Sequence, residues 1–242
     1  MDTPSWSDLA DALTASLELT TPPIAITFTP DIPEGVAAYQ GPKPPPAHDG
    51  RTGPVPAGCV FWTKAIDRTF STVASDHANC SVGTLVHGFA GLDEVAGNSD
   101  VAALLDSGWV TTEQVPQIPI VHERPESVTY GPLAETSGTP DVVLIRIKAA
   151  QLMLMAEAVP ELGIGGKPQC RVVALAKEQG QVAASLGCTL SRARTGQPDN
   201  EMTCAIPASR LAAVVQAVET IARIDAVAES YAAADIRRFE TI

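Results

Sequence analysis

The stretch Asp141-Val142-Val143-Leu144-Ile145-Arg146-Ile147 decides the fold. It is an apolar, β-branched run, and it predicts the clearest strand in the chain. Toward the C-terminus a helix is expected over 149–158, stopped before Pro160, because proline lacks a donor and crowds the preceding turn. Residues 163–168 read as a turn-rich loop. A helix follows over 171–177, then a strand over 181–186 that ends in Gly187-Cys188, and another strand over 202–206. Ser209 caps a long alanine-rich helix over 210–223, with Leu211, Val214, Val215, Val218 and Ile221 at helical spacing. Residues 225–238 are expected to be helical as well.

Toward the N-terminus the signals mirror these. Val128-Thr129-Tyr130 is a short strand before Pro132, and 115–122 is extended and punctuated by proline. Residues 100–106 read as a helix, and 76–83 as a turn entering a helix. Residues 69–74 predict a strand, 60–66 a short helix and 23–28 a strand. Residues 30–58 are loop, holding Pro44-Pro45-Pro46. A helix over 5–19 shows Trp6, Leu9, Ala10, Leu13 and Leu17 on one stripe, with Ser5 or Ser7 as cap and Pro22-Pro23 as stop.

Each half thus runs strand, loop, cysteine, short helix, strand, second cysteine. The expectation is an α+β single domain over 1–242 with two duplicated strand-helix-strand halves, about 20–95 and 140–206. A pseudo-twofold would relate the halves, and a helical segment over 209–238 would follow. The alternative is that strand-helix-strand units recur by chance in chains of this kind.

With 242 residues, 45% of them hydrophobic and 18% charged, the chain has enough apolar surface to fold without staples. The formal net charge of −12 argues against broad binding to nucleic acid or anionic membrane. An aromatic content of 5% argues against a base-stacking platform. No apolar run of about 18 residues suggests a spanning helix. The opening Met1-Asp2-Thr3-Pro4-Ser5-Trp6 lacks the basic region of a signal peptide, so a cytoplasmic location is expected, where thiols stay reduced.

Five cysteines are present: Cys59, Cys80, Cys170, Cys188 and Cys204. Four thiolates suit zinc or a [4Fe–4S] cluster, although their spacing follows no local CxxC pattern. Gly58 before Cys59 and Gly187 before Cys188 would let the backbone approach a bulky group. Cys80 and Cys170 stand at apparent helix entrances, where a positive end favours thiolate. The plain alternative is buried, inert cysteine. In Asp76-His77-Ala78-Asn79-Cys80, His77 could act as base to a Cys80 nucleophile or donate toward a cluster sulfur. An Asx turn with Asp76 as cap would need no chemistry. Arg192 and Arg194 could meet an anionic substrate, balance thiolate charge, or pair with Asp199 or Glu201. Trp62 could shield a site or simply pack. His87 reads as packed or capping, and His48 and His122 carry no assignment. The run Gly163-Ile164-Gly165-Gly166 has no phosphate-loop signature.

At these residues the chain resembles a prokaryotic family, the domain of unknown function numbered 169. The resemblance rests on Gly58-Cys59 with Trp62, and on Asp76-His77-x-Asn79-Cys80-x-x-Gly83 with His87. It also rests on Pro140-Asp141-Val142-Val143, Gly166-Lys167-Pro168-x-Cys170, Ser185-Leu186-Gly187-Cys188 and Asp199-x-Glu201. It spans about residues 20–220. Where the family has Ile-Gly-Asn-Arg after the last cysteine, this chain has Thr189-Leu190-Ser191-Arg192. The resemblance implies that Cys59, Cys80, Cys170 and Cys188 belong together and that Cys204 is structural; it implies no activity.

The first expectation is therefore a four-cysteine metal or iron–sulfur protein, with [4Fe–4S] ahead of zinc or no cofactor. It would perform redox or sulfur chemistry with a small-molecule or redox partner, and bind neither nucleic acid nor membrane. The second is a cofactor-free enzyme with Cys80 as nucleophile and His77 as base. The third is a structural zinc protein that binds a partner.

Overall fold

A computed structural model describes residues 4–41 and 58–239. In chain order the described residues form α1 (Trp6–Leu17), β1 (Ile24–Thr29), α2 (Gly58–Lys64), β2 (Phe70–Thr72), α3 (Ala74–His77), α4 (Ser81–Val86), α5 (Leu92–Val95), α6 (Ser99–Asp106) and β3 (Ser127–Pro132). There follow β4 (Val142–Ile147), α7 (Ala149–Ala158), β5 (Gly163–Gly165), α8 (Arg171–Gln179), β6 (Ala183–Ser185), α9 (Thr189–Thr195), β7 (Met202–Pro207) and α10 (Leu211–Phe239). The architecture is α+β, as expected.

The strands make one mixed sheet in the order β2-β3-β1-β4-β7-β6-β5, antiparallel except for the β5–β6 pair. The deciding strand lies at its middle. β4 pairs with β1 through Ile24↔Leu144 and with β7 from Val142↔Pro207 to Ile147↔Met202. Successive strand residues point to opposite faces, so a central strand covered on both sides must be apolar throughout. Val143, Ile145 and Ile147 enter one core with Cys204 and Ile206 from β7, covered by Leu13 of α1, Met155 of α7 and Leu211 and Val218 of α10. Val142 and Leu144 enter the other core with Ile26, Tyr130 and Ala205, covered by Phe61 and Trp62 of α2 and by Val172 and Val173 of α8.

Local signals explain most element ends. Ser5 caps α1 and forms a reciprocal box with Asp8. Asp141, of the Pro140-Asp141 motif, works structurally: its carboxylate accepts the Phe28 N–H at 2.7 Å and pairs with Lys177 at 2.9 Å, latching β1 to β4 and α8.

Several expectations are revised. The 163–168 segment opens with β5, whose parallel ladder to β6 is backbone chemistry that Gly-Ile-Gly does not announce. α9 was not foreseen in its Ser/Thr-rich stretch and closes on Gly196 in the left-handed conformation. The two C-terminal helices are one, because nothing near Ile224 breaks the turn pattern. The 115–122 segment contains a short 3₁₀ turn, Val115–Gln117. Of the expected 30–58 loop, 42–57 lie outside the described residues.

Outward from the β1–β4 pair the sheet reads β1-β3-β2 on one side and β4-β7-β6 on the other. α2 leads into β2 as α8 leads into β6. β5, α5 and α6 have no described counterparts across the centre, so the shared order falls short of an internal duplication. No helix among the described residues is long and apolar enough to cross a membrane.

Candidate functional site

Four cysteines distant in sequence meet at one cavity. Cys59 lies in the first turn of α2, while Cys80, Cys170 and Cys188 are the N-cap residues of α4, α8 and α9. All four line a cavity of about 380 Å³, its mouth included, together with Val82, Trp109, Pro168, Gln169, Leu190, Ser191 and Arg194. α2 packs against both α4 and α9, which brings the helix starts to the same place.

Each sulfur is placed by local chemistry. Cys80 has an extended backbone, and its Sγ accepts the Gly83 N–H at 3.4 Å, the capping role usually taken by an oxygen. The next residue is tethered: Ser81 donates its N–H and hydroxyl to Asp100 at 3.0 and 2.6 Å, tying the start of α4 to α6. Gly187 sets the entry to Cys188 with φ +114°, which side-chain-bearing residues rarely adopt, and a Cβ there would stand 2.6 Å from Arg192. A Cβ at Gly58 would stand 2.9 Å from the His87 ring. Both glycines therefore make room for the protein's own side chains, not for a bulky ligand as the sequence suggested.

The sulfurs and Arg194 form one electrostatic group. Cys80 and Cys188 are 9% and 7% exposed, and Cys59 and Cys170 open onto the cavity. Loss of water pushes the Cys59 thiol up to about 11, with Ser191 beside it working the other way. Burial, then the charges of Cys80, Cys59 and Cys188, holds Cys170 well above the usual thiol range. The Arg194 guanidinium stands against Cys80, with Cys59 and Cys188 nearby. Burial pulls its pKa down, but these sulfurs raise it above the ordinary value.

The metal-binding and iron–sulfur reading is corrected. Among the described residues no group of three or more His, Cys, Asp or Glu side chains is arranged to hold a metal ion. Cys59, Cys80, Cys170 and Cys188 begin four separate helices and line one cavity, but they do not form such a group.

His77 is not among the residues that line the cavity, and its hydrogen bond goes to Thr72. Its Nε2 lies 2.9 Å from Thr72 Oγ1, and Thr72 donates its own proton to the Val128 carbonyl. His77 must then donate from Nε2, which leaves Nδ1 bare and without a partner among the described residues. Its ring packs between Phe61 and Phe89, centroids 4.7 and 4.6 Å away, and burial holds its pKa well below the ordinary value. His87 donates from Nδ1 to the Gly83 carbonyl at 2.8 Å, and burial lowers its pKa to about 4. Asp76 is not the N-cap expected of it: it is the third residue of α3, whose N-cap is Val73, and its carboxylate accepts the Val73 N–H at 3.0 Å.

Of the two arginines, Arg192 donates to the carbonyls of Leu186, Pro198 and Glu201 and is structural. Glu201 pairs with Arg146 at 2.5 Å, so neither arginine takes it. Trp62 packs in the α2 core and lines a smaller neighbouring cavity that shares Cys59, Gln169 and Ser191 with the first. Sequence reasoning missed Gln169, whose Nε2 donates to Thr203 at 2.6 Å while its Oε1 has no partner among the described residues. It also missed Ser191, Leu190 and Trp109. Gln169 occupies the variable position of the Gly166-Lys167-Pro168-x-Cys170 motif, so no pattern marked it. Cys204 lies on the opposite face of the sheet, fully buried, its thiol pushed up to about 12 by burial.

No curated protein and no solved structure matches the chain. The profile of the DUF169 family, described as "Uncharacterised ArCR", matches residues 12–217, which include all four cavity cysteines, and the chain belongs to that family.

Proposed function

We propose that the protein is a cofactor-free thiol enzyme acting on a small molecule held in the four-cysteine cavity, with Cys80 as the attacking sulfur. The observation that supports this most is the meeting of four thiols with Arg194 at one cavity. The Gly83 N–H and the Arg194 guanidinium both stand at Cys80 and can stabilise negative charge on its sulfur. His77 is hydrogen-bonded to Thr72 and has no part as base in this reading.

Several thiols on one wall suit disulfide exchange. Cys80 thiolate attacks a substrate disulfide, forming a mixed disulfide and releasing one substrate thiolate. A second cavity thiol, Cys59 or Cys188, then attacks the Cys80 sulfur of the mixed disulfide, its proton passing to the departing substrate sulfur. A protein disulfide forms and the second half of the substrate leaves as a thiol. The substrate gains two electrons and the protein loses them.

The experiment incubates reduced protein with 2,2′-dithiodipyridine and follows released pyridinethione and protein mass. The expected result is two equivalents released rapidly and a protein lighter by two hydrogens, with no retained adduct. Cys80→Ser should abolish the rapid phase. Equal rapid release by Cys80→Ser and wild type would overturn the assignment.

A further inference from the structure

We infer that the thiol cavity takes a small organic anion, and that Arg194 is the group that reads its charge. The inference rests on the thiol reading and adds the class of substrate. The chain carries a formal charge of −12, yet the described lining residues include no carboxylate and do include Arg194.

Several other half-buried cations are already engaged. Arg146 is paired with Glu201, Lys177 with Asp141 and Arg210 with Glu161, while Arg192 is held by three backbone carbonyls. Arg194 has no carboxylate partner among the described residues; it reaches the Asn79 carbonyl at 3.4 Å and otherwise faces sulfur. A guanidinium carries five donors in a fork that matches a carboxylate or a similar oxyanion, more than the Asn79 carbonyl and the Cys80 sulfur take up. A second cation touches a lining residue: the Lys167 ammonium lies 4.9 Å from the centre of the Trp109 ring.

The rest of the lining describes the body of the ligand. Val82, Trp109 and Leu190 present hydrocarbon, which suits an organic anion rather than a bare inorganic one. Gln169 is 4% exposed and its Oε1 is an acceptor without a partner among the described residues. It provides a point for an N–H or O–H of the same molecule. The class is a small, partly apolar carboxylate or comparable oxyanion that carries a hydrogen-bond donor.

Two alkylating agents of nearly equal size, one charged and one neutral, test this. Iodoacetate is anionic and iodoacetamide is neutral. With either, the Cys80 sulfur forms a bond to carbon and iodide leaves. The rate of each at Cys80 is read by peptide mass spectrometry and divided by its rate with a free cysteine peptide. The ratio of iodoacetate to iodoacetamide cancels the thiolate fraction and isolates charge recognition. The expected ratio exceeds that of the free peptide by about tenfold, the scale of one nearby charge in a partly desolvated site. Arg194→Gln should return it to the peptide value, and Arg194→Lys, which keeps the charge, should retain most of it. A wild-type ratio equal to that of the peptide would overturn the anion inference while leaving the thiol reading intact. If neither reagent modifies Cys80 in the folded protein, the thiol reading itself fails.

Discussion

On the sheet face covered by α1, α7 and α10, Cys204 is one more core side chain, 0% exposed among Val143, Ile145 and Ile206. Toward the face covered by α2 and α8, Cys59, Cys80, Cys170 and Cys188 begin four helices and share a cavity with Arg194. The residue type is the same and the environments are opposed. Cys204 alternates with residues of the other core along one strand, so the strand's period alone buries it. The other four sit where a chain turns into a helix, with free backbone donors and incomplete packing, and so a void remains beside them. Depth in a core makes a thiol inert; position at a helix start beside a cation leaves it available.

The largest expected effect would break or establish that contrast directly. In native protein at neutral pH, Cys80 should react with iodoacetamide more than about a hundredfold faster than Cys204, whose thiol is desolvated and has no cation beside it. Cys204→Ser should leave the cavity labelling rate unchanged, and comparable rates at the two cysteines would remove the distinction.

Next in size is the packing of the closed face. Leu211→Ala removes a fully buried side chain of α10 and should cost about 3–4 kcal/mol in denaturant unfolding, from lost transfer energy and the cavity left behind. Cavity thiol reactivity should persist in conditions where the variant stays folded, because the two faces are packed independently. A coupled loss of reactivity would show that the sheet transmits the damage.

The open face carries its own pH dependence. His87 is buried and its pKa is lowered from 6.5 to about 4. Below pH 6.5 the unfolded chain takes up a proton that the folded one refuses, so stability falls as pH drops from about 6.5 to about 4. The loss from His87 should approach about 3 kcal/mol, and it is absent above that window. His77, 5.3 Å away ring to ring, shifts in the same direction. His87→Gln should flatten the dependence, as read from unfolding midpoints at pH 7 and pH 4.5. An unchanged slope would place the acid sensitivity elsewhere.

The smallest effect concerns the entry to Cys188. Gly187→Ala forces a side chain into φ +114° against Arg192 and should cost about 1–3 kcal/mol. If thiol labelling at Cys188 changes by more than stability accounts for, the turn positions the sulfur as well as the chain.

Much of the framework was legible in the chain. β4 follows from its unbroken apolar run, α1 from its stripe and Ser5 cap, α7 from Pro160, and the start of α10 from Leu211, Val214, Val215 and Val218. These are local signals, each complete within one or two turns of sequence. The association of Cys59, Cys80, Cys170 and Cys188 was also anticipated, and the cavity brings them together. What they would do there was not legible, because ligation of a metal depends on distances across four separate helices.

The sequence by itself determined most of the strands and helices, because hydrophobic period and capping act over a few residues, and the family resemblance set Cys204 apart from the other four. Only the tertiary structure decided that His77 answers to Thr72, that Glu201 pairs with Arg146, and that Arg194 and Gln169 face the thiols. Each of those pairings joins side chains from different elements. Partner choice in a folded interior is set by the packing of whole helices on a sheet, and no spacing along the chain records it.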